Sequence, residues 1–496
     1  MDARFLNDFP WRQQAQATPA AMALRTDNVQ LSWQALSEQL DRLCAGFQRQ
    51  GVTRGARVAL RSKNSLSALL AWMALLQAGA QVLPLNPQLP SATLLPLLSV
   101  LHPDFMLNLA QPLPDLPHPA PAALRITTTR HTASAPVAWH PEAIATLTLT
   151  SGSVGLPKAA AHTFAALLHS AAGVNQLMDF NAVENWLLSL PIYHVSGQGI
   201  IWRWLLAGAC LTLSDAPLSQ ALSSCSFASL VPTQLWRLLQ QPQRPAGLKA
   251  VLLGGAAIPP DLVARAEAAG IRCWCGYGLT ESAATVCGKR ADNRPGVGTA
   301  LAGREVKVVN GEIWIRSATL ACGYWRDGQL WPLVNQHGWF ATGDLGCWHQ
   351  GELQVLGRKD NLFFSGGEAV QPEAIESLLI RHPAVRQAFI IPQADEEWGA
   401  RPVALLALDS DTEMGKSAEQ DSRVEQVSNT RQALRAERTS DVELDSGSEL
   451  ECIAVWASAR LANFQRPVRW LRLPEELAQG GIKLSRQRLA QWLQGT

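Results

Sequence analysis

From about residue 30 to residue 275, short β-prone apolar runs alternate with longer Ala- and Leu-rich runs. That alternation predicts parallel strands covered by helices. Trp33 to Gln50 reads as an amphipathic helix capped by Ser32, Ala56 to Leu60 as a strand, Ser65 to Ala78 as a helix and Gln81 to Leu85 as the next strand. The cycle repeats with a strand from Ala143 to Thr150 and a helix from Thr163 to Leu177. Further strands are predicted at Trp186 to Leu190, Cys210 to Leu213, Phe227 to Leu230, Leu248 to Leu253 and Gly270 to Cys275. Between Pro112 and Pro121, five prolines predict an irregular surface segment.

After about residue 295 the texture changes to short apolar runs separated by glycines, as in Gly311-Glu-Ile-Trp-Ile-Arg316, Gly338-Trp-Phe-Ala-Thr-Gly-Asp344 and Gly351-Glu-Leu-Gln-Val-Leu-Gly357. This predicts a β-rich subdomain. The fold class that follows is α/β: a large domain over residues 1–357 with α/β and β-rich parts, then a small mobile α+β domain over 361–496. Residues 411–448 are dense in Ser, Glu, Asp, Arg and Gln with few large apolar residues, which predicts a flexible insertion or an exposed helix near 429–438.

Composition narrows the function classes. With 496 residues, 47% of them hydrophobic, the chain can bury large cores. Lys+Arg 42 against Asp+Glu 41 leaves a formal charge of +1, so no long-range field draws it to nucleic acid or an anionic membrane, and any anion site must be local. The nine scattered cysteines, with Cys273 and Cys275 one residue apart, read as reduced thiols of a cytoplasmic protein and not as a zinc or redox motif. The N-terminus carries acidic residues and no continuous apolar stretch, unlike a signal peptide. The apolar run from Ile200 to Leu213 is broken by Arg203, which argues for buried elements and against membrane insertion.

Thr148-Leu-Thr-Ser-Gly-Ser-Val-Gly-Leu-Pro-Lys158 packs hydroxyls, glycines and a lysine into a loop that follows an apolar run. Such a loop suits phosphate: Gly152 and Gly155 permit sharp turns that expose N–H groups, while Thr150, Ser151, Ser153 and Lys158 add hydrogen bonds and charge. It is not a Walker A loop, because Leu156-Pro157 separates Gly155 from Lys158 and Ala159 follows. Taken alone, such a loop has a surface turn as its minority reading.

Ordered motifs along nearly the whole chain resolve that choice. They are Thr150 to Lys158, Pro191-Ile-Tyr-His194, Leu253-Gly-Gly-Ala256, Gly276-Tyr-Gly-Leu-Thr-Glu281, Thr342-Gly-Asp344, Gly357-Arg-Lys-Asp360 and Gly481-Ile-Lys483. In this order they resemble the adenylate-forming enzymes, the class of acyl-CoA synthetases, luciferases and peptide-synthetase adenylation domains. Segments 188–204, 229–239 and Leu362-Phe-Phe-Ser-Gly-Gly-Glu368 resemble the o-succinylbenzoate-activating members of that class, which serve menaquinone biosynthesis. The resemblance implies ATP, Mg²⁺ and coenzyme A as reactants or cofactors, with o-succinylbenzoate as the acid. It leaves homo-oligomer formation open and implies no nucleic-acid partner.

The same resemblance assigns residues. The Gly/Ser loop would take the triphosphate, Thr280 the α-phosphate and Glu281 the metal, carboxylate oxygen being suited to a hard cation. Gly254, Gly255 and Ala256 would wall the nucleotide and acyl pocket, where absent side chains leave room; Gly276, Tyr277 and Gly278 would line it beside Glu281. Asp344, with Arg358, would hold the ribose hydroxyls, Asp360 would be the hinge within 358–360, and Lys483 the mobile catalytic lysine. His194 and Ser196 would border the acyl tunnel. Arg203, set between Trp202 and Trp204, needs an anion or a route to solvent; it would pair with the carboxylate of o-succinylbenzoate that does not react. Without the family, Glu281 reads as a carboxylate at a helix N-terminus, His194 as a structural histidine, Arg203 as half of a salt bridge and Lys483 as a surface lysine. Val154 departs from the family, which usually has Thr or Ser there, and removes one hydroxyl from the phosphate loop. Rival readings are a ligase for another aryl or fatty acid, an adenylation domain serving a carrier protein, and a non-enzymatic binding protein of the same fold.

Overall fold

The computed structural model describes residues 6–110, 116, 120–128, 137–150, 158–241, 245–255, 258–292, 294–408, 443–444, 448–474, 477 and 486–495. Two large sheets build the first part. A nine-stranded sheet runs in the order Thr299–Ala300, Ala284–Arg290, Arg272–Leu279, Ala250–Leu253, Phe227–Leu230, Asn185–Leu187, Cys210–Thr212, Met22–Arg25 and Gln30–Ser32. Its middle is parallel and both ends are antiparallel. An eight-stranded sheet runs in the order Gln329–Trp331, Gly323–Arg326, Lys158–Thr163, Ile144–Thr150, Gln81–Leu85, Arg57–Arg61, Phe105–Asn108 and Ala122–Ala123.

Period-two alternation along the buried strands sorts side chains to the two faces of each sheet. Ala250 and Leu252 join the largest core while Val251 and Leu253 face a second, with helices Pro232–Leu239 and Pro260–Ala268. Val58 and Leu60 join the largest core from the other sheet, whereas Ala59 faces helix Ser91–Leu101. The four helices Trp33–Arg49, Leu66–Gln77, Phe164–Met178 and Val195–Ala207 therefore share the layer between the sheets. Trp33 stacks on Trp204 with ring centroids 5.3 Å apart, and Trp72 meets Trp202 edge-on at 5.5 Å, fixing the last helix against the first two. Ser32 caps its helix by accepting from Ala35 N, as the sequence predicts, and Ser65, read as the first helical residue, is instead the cap of the next helix, accepting from Ala68 N.

Two features depart from the sequence reading. Lys158–Thr163, given no element before Thr163 in the sequence reading, is a strand that returns antiparallel to Ile144–Thr150. Within the glycine-punctuated region, the hairpin Gly323–Arg326 and Gln329–Trp331 extends the eight-stranded sheet by pairing with Lys158–Thr163. The strands Arg304–Val309, Glu312–Ser317, Phe340–His349 and Glu352–Arg358 form a separate antiparallel sheet.

After a 3₁₀ turn at Lys359–Asn361, Val385–Asp395, Gly399–Leu408, Arg469–Arg472 and Glu443–Leu444 form a further sheet. Helices Pro372–Leu379 and Ser448–Ser458 pack with it around Ile390, Leu406, Ile453 and Trp470. The expected insertion lies outside the described residues over 411–442 and 445–447. Its assigned span runs too far, because Glu443–Leu444 pairs in parallel with Arg469 and Trp470 and a helix starts at Ser448.

Candidate functional site

Strand Arg272–Leu279 turns back through Thr280–Ser282 into strand Ala284–Arg290, and this tight hairpin dictates its own glycines. A Cβ on Gly278 would lie 1.7 Å from the Ala284 carbonyl oxygen, and one on Gly276 would lie 2.7 Å from that of Cys287. The partner strand thus makes the close backbone approach that these two glycines permit. Thr280 and Glu281 sit half-buried at the tip.

Around Glu281 the geometry gathers opposite charges about one ring. The Tyr324 hydroxyl donates to Glu281 Oε1 at 2.8 Å, and Lys158 Nζ lies 5.1 Å from the centroid of the same tyrosine. Burial and the neighbouring carboxylate raise the Tyr324 pKa, so the phenol stays a donor. Tyr324 reaches this place through its pairing with Ala160, two residues beyond Lys158.

A second cluster comes from the antiparallel sheet, where Asp344 stands opposite Arg358 in register. Arg358 Nη1 donates to Asp344 Oδ1 at 2.9 Å and the Tyr277 hydroxyl donates to Oδ2 at 2.5 Å. Desolvation and Asp344 push the Tyr277 pKa well up, which preserves that donor. Gly343 takes φ +72°, a conformation a side chain would strain, and its N–H donates to Glu312 Oε1 at 3.0 Å. Arg358 Nη2 also meets Asp360 Oδ2 at 3.3 Å within the turn that leads to the second part of the chain.

On the acyl side, the segment from Leu188 to His194 is pinned by Asn64. Its side chain donates to the Leu188 and Leu190 carbonyls and accepts from Ile192 N at 2.9 Å. His194 is the exposed N-cap of helix Val195–Ala207, with Tyr193 edge-on at 4.8 Å, and Ser196 is half-buried in its first turn. Arg203 is only 3% exposed and reaches strands Phe227–Leu230 and Asn185–Leu187. Nη1 donates to Ser229 Oγ at 3.3 Å, the guanidinium lies 5.0 Å from the Trp186 ring centroid, and Nε has no partner among the described residues. No described carboxylate pairs with it, so the salt-bridge alternative finds no partner among the described residues. Burial, with help from Arg304, pushes its pKa down to about 9. Gly254, one strand over from Ser229, has open space where a Cβ would stand, and Gly255 has φ +84°.

Ser151, Gly152, Ser153, Val154, Gly155, Ala256 and Lys483 lie outside the described residues. Thr150, which leads into that loop, is buried. Among the described residues, no group of three or more His, Cys, Asp or Glu side chains could hold a metal. Glu281 nevertheless fits Mg²⁺, which is commonly held by one or two carboxylates together with substrate phosphates and water. One of its oxygens accepts from Tyr324, and the other is not committed to a hydrogen bond with a described residue.

Sequence reasoning missed Tyr324, Arg304 and His162. The last is fully buried and its Nε2 bonds the Thr280 carbonyl oxygen at 2.8 Å, so the neutral ring carries its proton there. Burial lowers its pKa from 6.5 to about 4. The native state therefore refuses a proton that the unfolded chain accepts. The resulting stability, about 3 kcal/mol, is fully present above pH 6.5 and is lost as pH falls through about 4. Thermal melts of wild type and His162→Gln between pH 7 and pH 4 should show the variant losing less over that window. Equal losses would remove His162 as the cause.

The AMP-binding enzyme family matches residues 11–325, and the AMP-binding enzyme C-terminal domain matches residues 374–436. The chain belongs to the AMP-binding enzyme family. Within it, the chain is 49% identical over 489 residues to the 2-succinylbenzoate–CoA ligase of Escherichia coli, covering 98% of this chain and 99% of that protein. It is 39% identical to the enzyme of that name from Haemophilus influenzae, covering 98% of each. A solved structure of a single-residue variant of Escherichia coli MenE with bound OSB-AMS superposes with a TM-score of 0.85 at 48% identity, over 99% of both chains. Across the described residues, no helix is long and apolar enough to cross a membrane.

Proposed function

We propose that this AMP-binding enzyme is an ATP-dependent ligase that joins o-succinylbenzoate to coenzyme A through an acyl-adenylate, releasing pyrophosphate and AMP, as a step of menaquinone biosynthesis. In the first half-reaction a carboxylate attacks the α-phosphate, so like charges must be brought together and held in line. Lys158 supplies a cation at the phosphate end, and Thr280 a hydroxyl toward the α-phosphate. Glu281 would hold Mg²⁺, which supplies charge neutralisation on the phosphates when bound. Asp344 takes the ribose hydroxyls while Arg358 and Tyr277 fix its orientation. His194 and Ser196 border the acyl channel. Lys483 completes the adenylation site, and rotation about Asp360 then withdraws it so that coenzyme A can attack the adenylate. The proposal places the reaction in the cytoplasm and invokes neither nucleic acid nor a carrier protein.

The observation that carries the choice of acid is Arg203. A fully buried guanidinium with one hydroxyl, one ring and no described carboxylate is a poor solution for a folded chain by itself. It becomes a good one when a bound acid brings a second carboxylate. A neutral fatty acyl tail would provide none. Mass detection of acyl-CoA products across a panel of carboxylic acids, with ATP and coenzyme A, tests this directly. o-Succinylbenzoate should exceed benzoate and medium-chain fatty acids by about 30-fold or more in efficiency. A fatty acid as the best substrate would overturn the assignment.

A further inference from the structure

The hairpin tip that carries Thr280 and Glu281 is conformationally expensive. Ala283 and Ala284 have φ of +53° and +90°, two successive non-glycine residues in a region that L side chains disfavour. Such a shape persists only when its surroundings over-determine it. Here the surroundings hold the carbonyls one after another. His162 bonds that of Thr280, Ala321 N donates to that of Glu281 at 2.8 Å, and the Ser170 hydroxyl donates to that of Ala283. Arg304 Nε donates to that of Thr285 at 2.9 Å.

Arg304 is the member that joins the pieces. Buried, it also donates from Nη2 to the Ser170 carbonyl at 3.2 Å and from Nη1 to the Ala302 carbonyl at 2.9 Å. One planar fork thereby ties helix Phe164–Met178, whose Ser170 grips Ala283, to the strand leaving the tip. A Cβ on Gly173 would lie 2.4 Å from Nη1, so that helix admits the guanidinium only where a side chain is missing. Burial pushes the Arg304 pKa down to about 10. Single neutral donors could satisfy these carbonyls without burying a charge, but none spans three of them in one rigid plane.

We propose that Arg304 is a positioning residue that, with Ser170, holds the strained Ala283–Ala284 turn in the shape that presents Thr280 and Glu281 to metal-bound ATP. The proposal rests on the reading of Glu281 as the metal-holding carboxylate. Its readout is the extra affinity for ATP that Mg²⁺ confers, measured by equilibrium dialysis without any acid, in the wild type, Arg304→Met, Arg304→Lys, Ser170→Ala and Glu281→Gln. Arg304→Met should reduce that increment roughly tenfold and Ser170→Ala several-fold, with ATP binding in EDTA kept within about twofold. Arg304→Lys, which keeps the charge but not the fork, should resemble Arg304→Met.

Should Arg304→Met fail to fold, Ser170→Ala removes one hydroxyl only and carries the test. An undiminished Mg²⁺ increment in the folded Arg304 and Ser170 variants, or complete recovery by Arg304→Lys, would overturn the positioning role. If Glu281→Gln leaves the increment intact, the metal reading of Glu281 fails and takes this proposal with it. That outcome is distinguishable, because the wild type would still make o-succinylbenzoyl-CoA if the proposed reaction is right.

Discussion

Arg203→Met should give a protein that melts higher than the wild type and works worse. At neutral pH the fold buries this cation against Trp186 and Ser229 with no described carboxylate, and burial pushes its pKa down to about 9. A lowered folded pKa means that the protonated form is disfavoured by folding, so the penalty is fully present below about pH 9 and is relieved only as pH rises above it. Methionine fills similar volume without charge, so the replacement removes the desolvation penalty of the buried cation and should stabilise the fold. The melting temperature should therefore rise by a few degrees, roughly the scale for a large chain. Catalytic efficiency with o-succinylbenzoate should fall by about 30-fold to several thousand-fold, corresponding to ~2–5 kcal/mol for one partner of a desolvated charge pair. With an analogue that lacks the non-reacting carboxylate, wild type and variant should differ little, because each has already lost the pair. A variant that melts lower, and is equally impaired on both acids, would show that Arg203 is a structural residue. The combination expected here is the familiar trade of stability for a poised site.

What could be read in advance follows the range of the interactions. Ser32, Ser65 and the apolar spacing behind them act within a few residues, so both helices appear where the sequence puts them. Phe227–Leu230 and Gln81–Leu85 are short apolar runs between turns, and their limits match the reading to the residue. Lys158-Ala-Ala-Ala-His-Thr163 has the composition of a helix start, yet it is a strand because Ile144–Thr150 and Gly323–Arg326 pair on its two sides. Pairing across about 160 residues overrides local propensity there. The site divides the same way. Arg203 is visible because a charge between two tryptophans is anomalous in any fold. Asp344 and Arg358 are individually ordinary, and only the motif selects them before register shows them to be cross-strand neighbours. Tyr324 and Arg304 have no local signature, since their importance lies in the carbonyls and carboxylates they reach from distant strands.

Asp344→Asn should abolish the ability to distinguish ATP from 2′-deoxy-ATP while leaving the fold standing. A carboxylate offers about four lone-pair positions. Tyr277 and Arg358 each use one, on different oxygens, and the remaining pair suits the two hydroxyls of a ribose, which is the role proposed for this residue. Because Arg358 and Tyr277 are both donors, an asparagine must turn its amide NH₂ toward one of them, and whichever it faces loses its acceptor. The variant thus loses the charge, one internal hydrogen bond and half of its accepting capacity together. Hydrogen bonds to charged groups contribute ~1.5–3 kcal/mol each, so efficiency with ATP should fall by about a hundredfold or more. The nucleotide comparison gives the loss its meaning. In the wild type, deleting the 2′-hydroxyl should cost at least about tenfold, and in Asp344→Asn the same deletion should cost about twofold or less. If the variant still discriminates between the two nucleotides as the wild type does, the hydroxyl is read elsewhere. Asp344 would then be a buried tie between Tyr277 and Arg358 that holds the antiparallel sheet against the hairpin of Glu281.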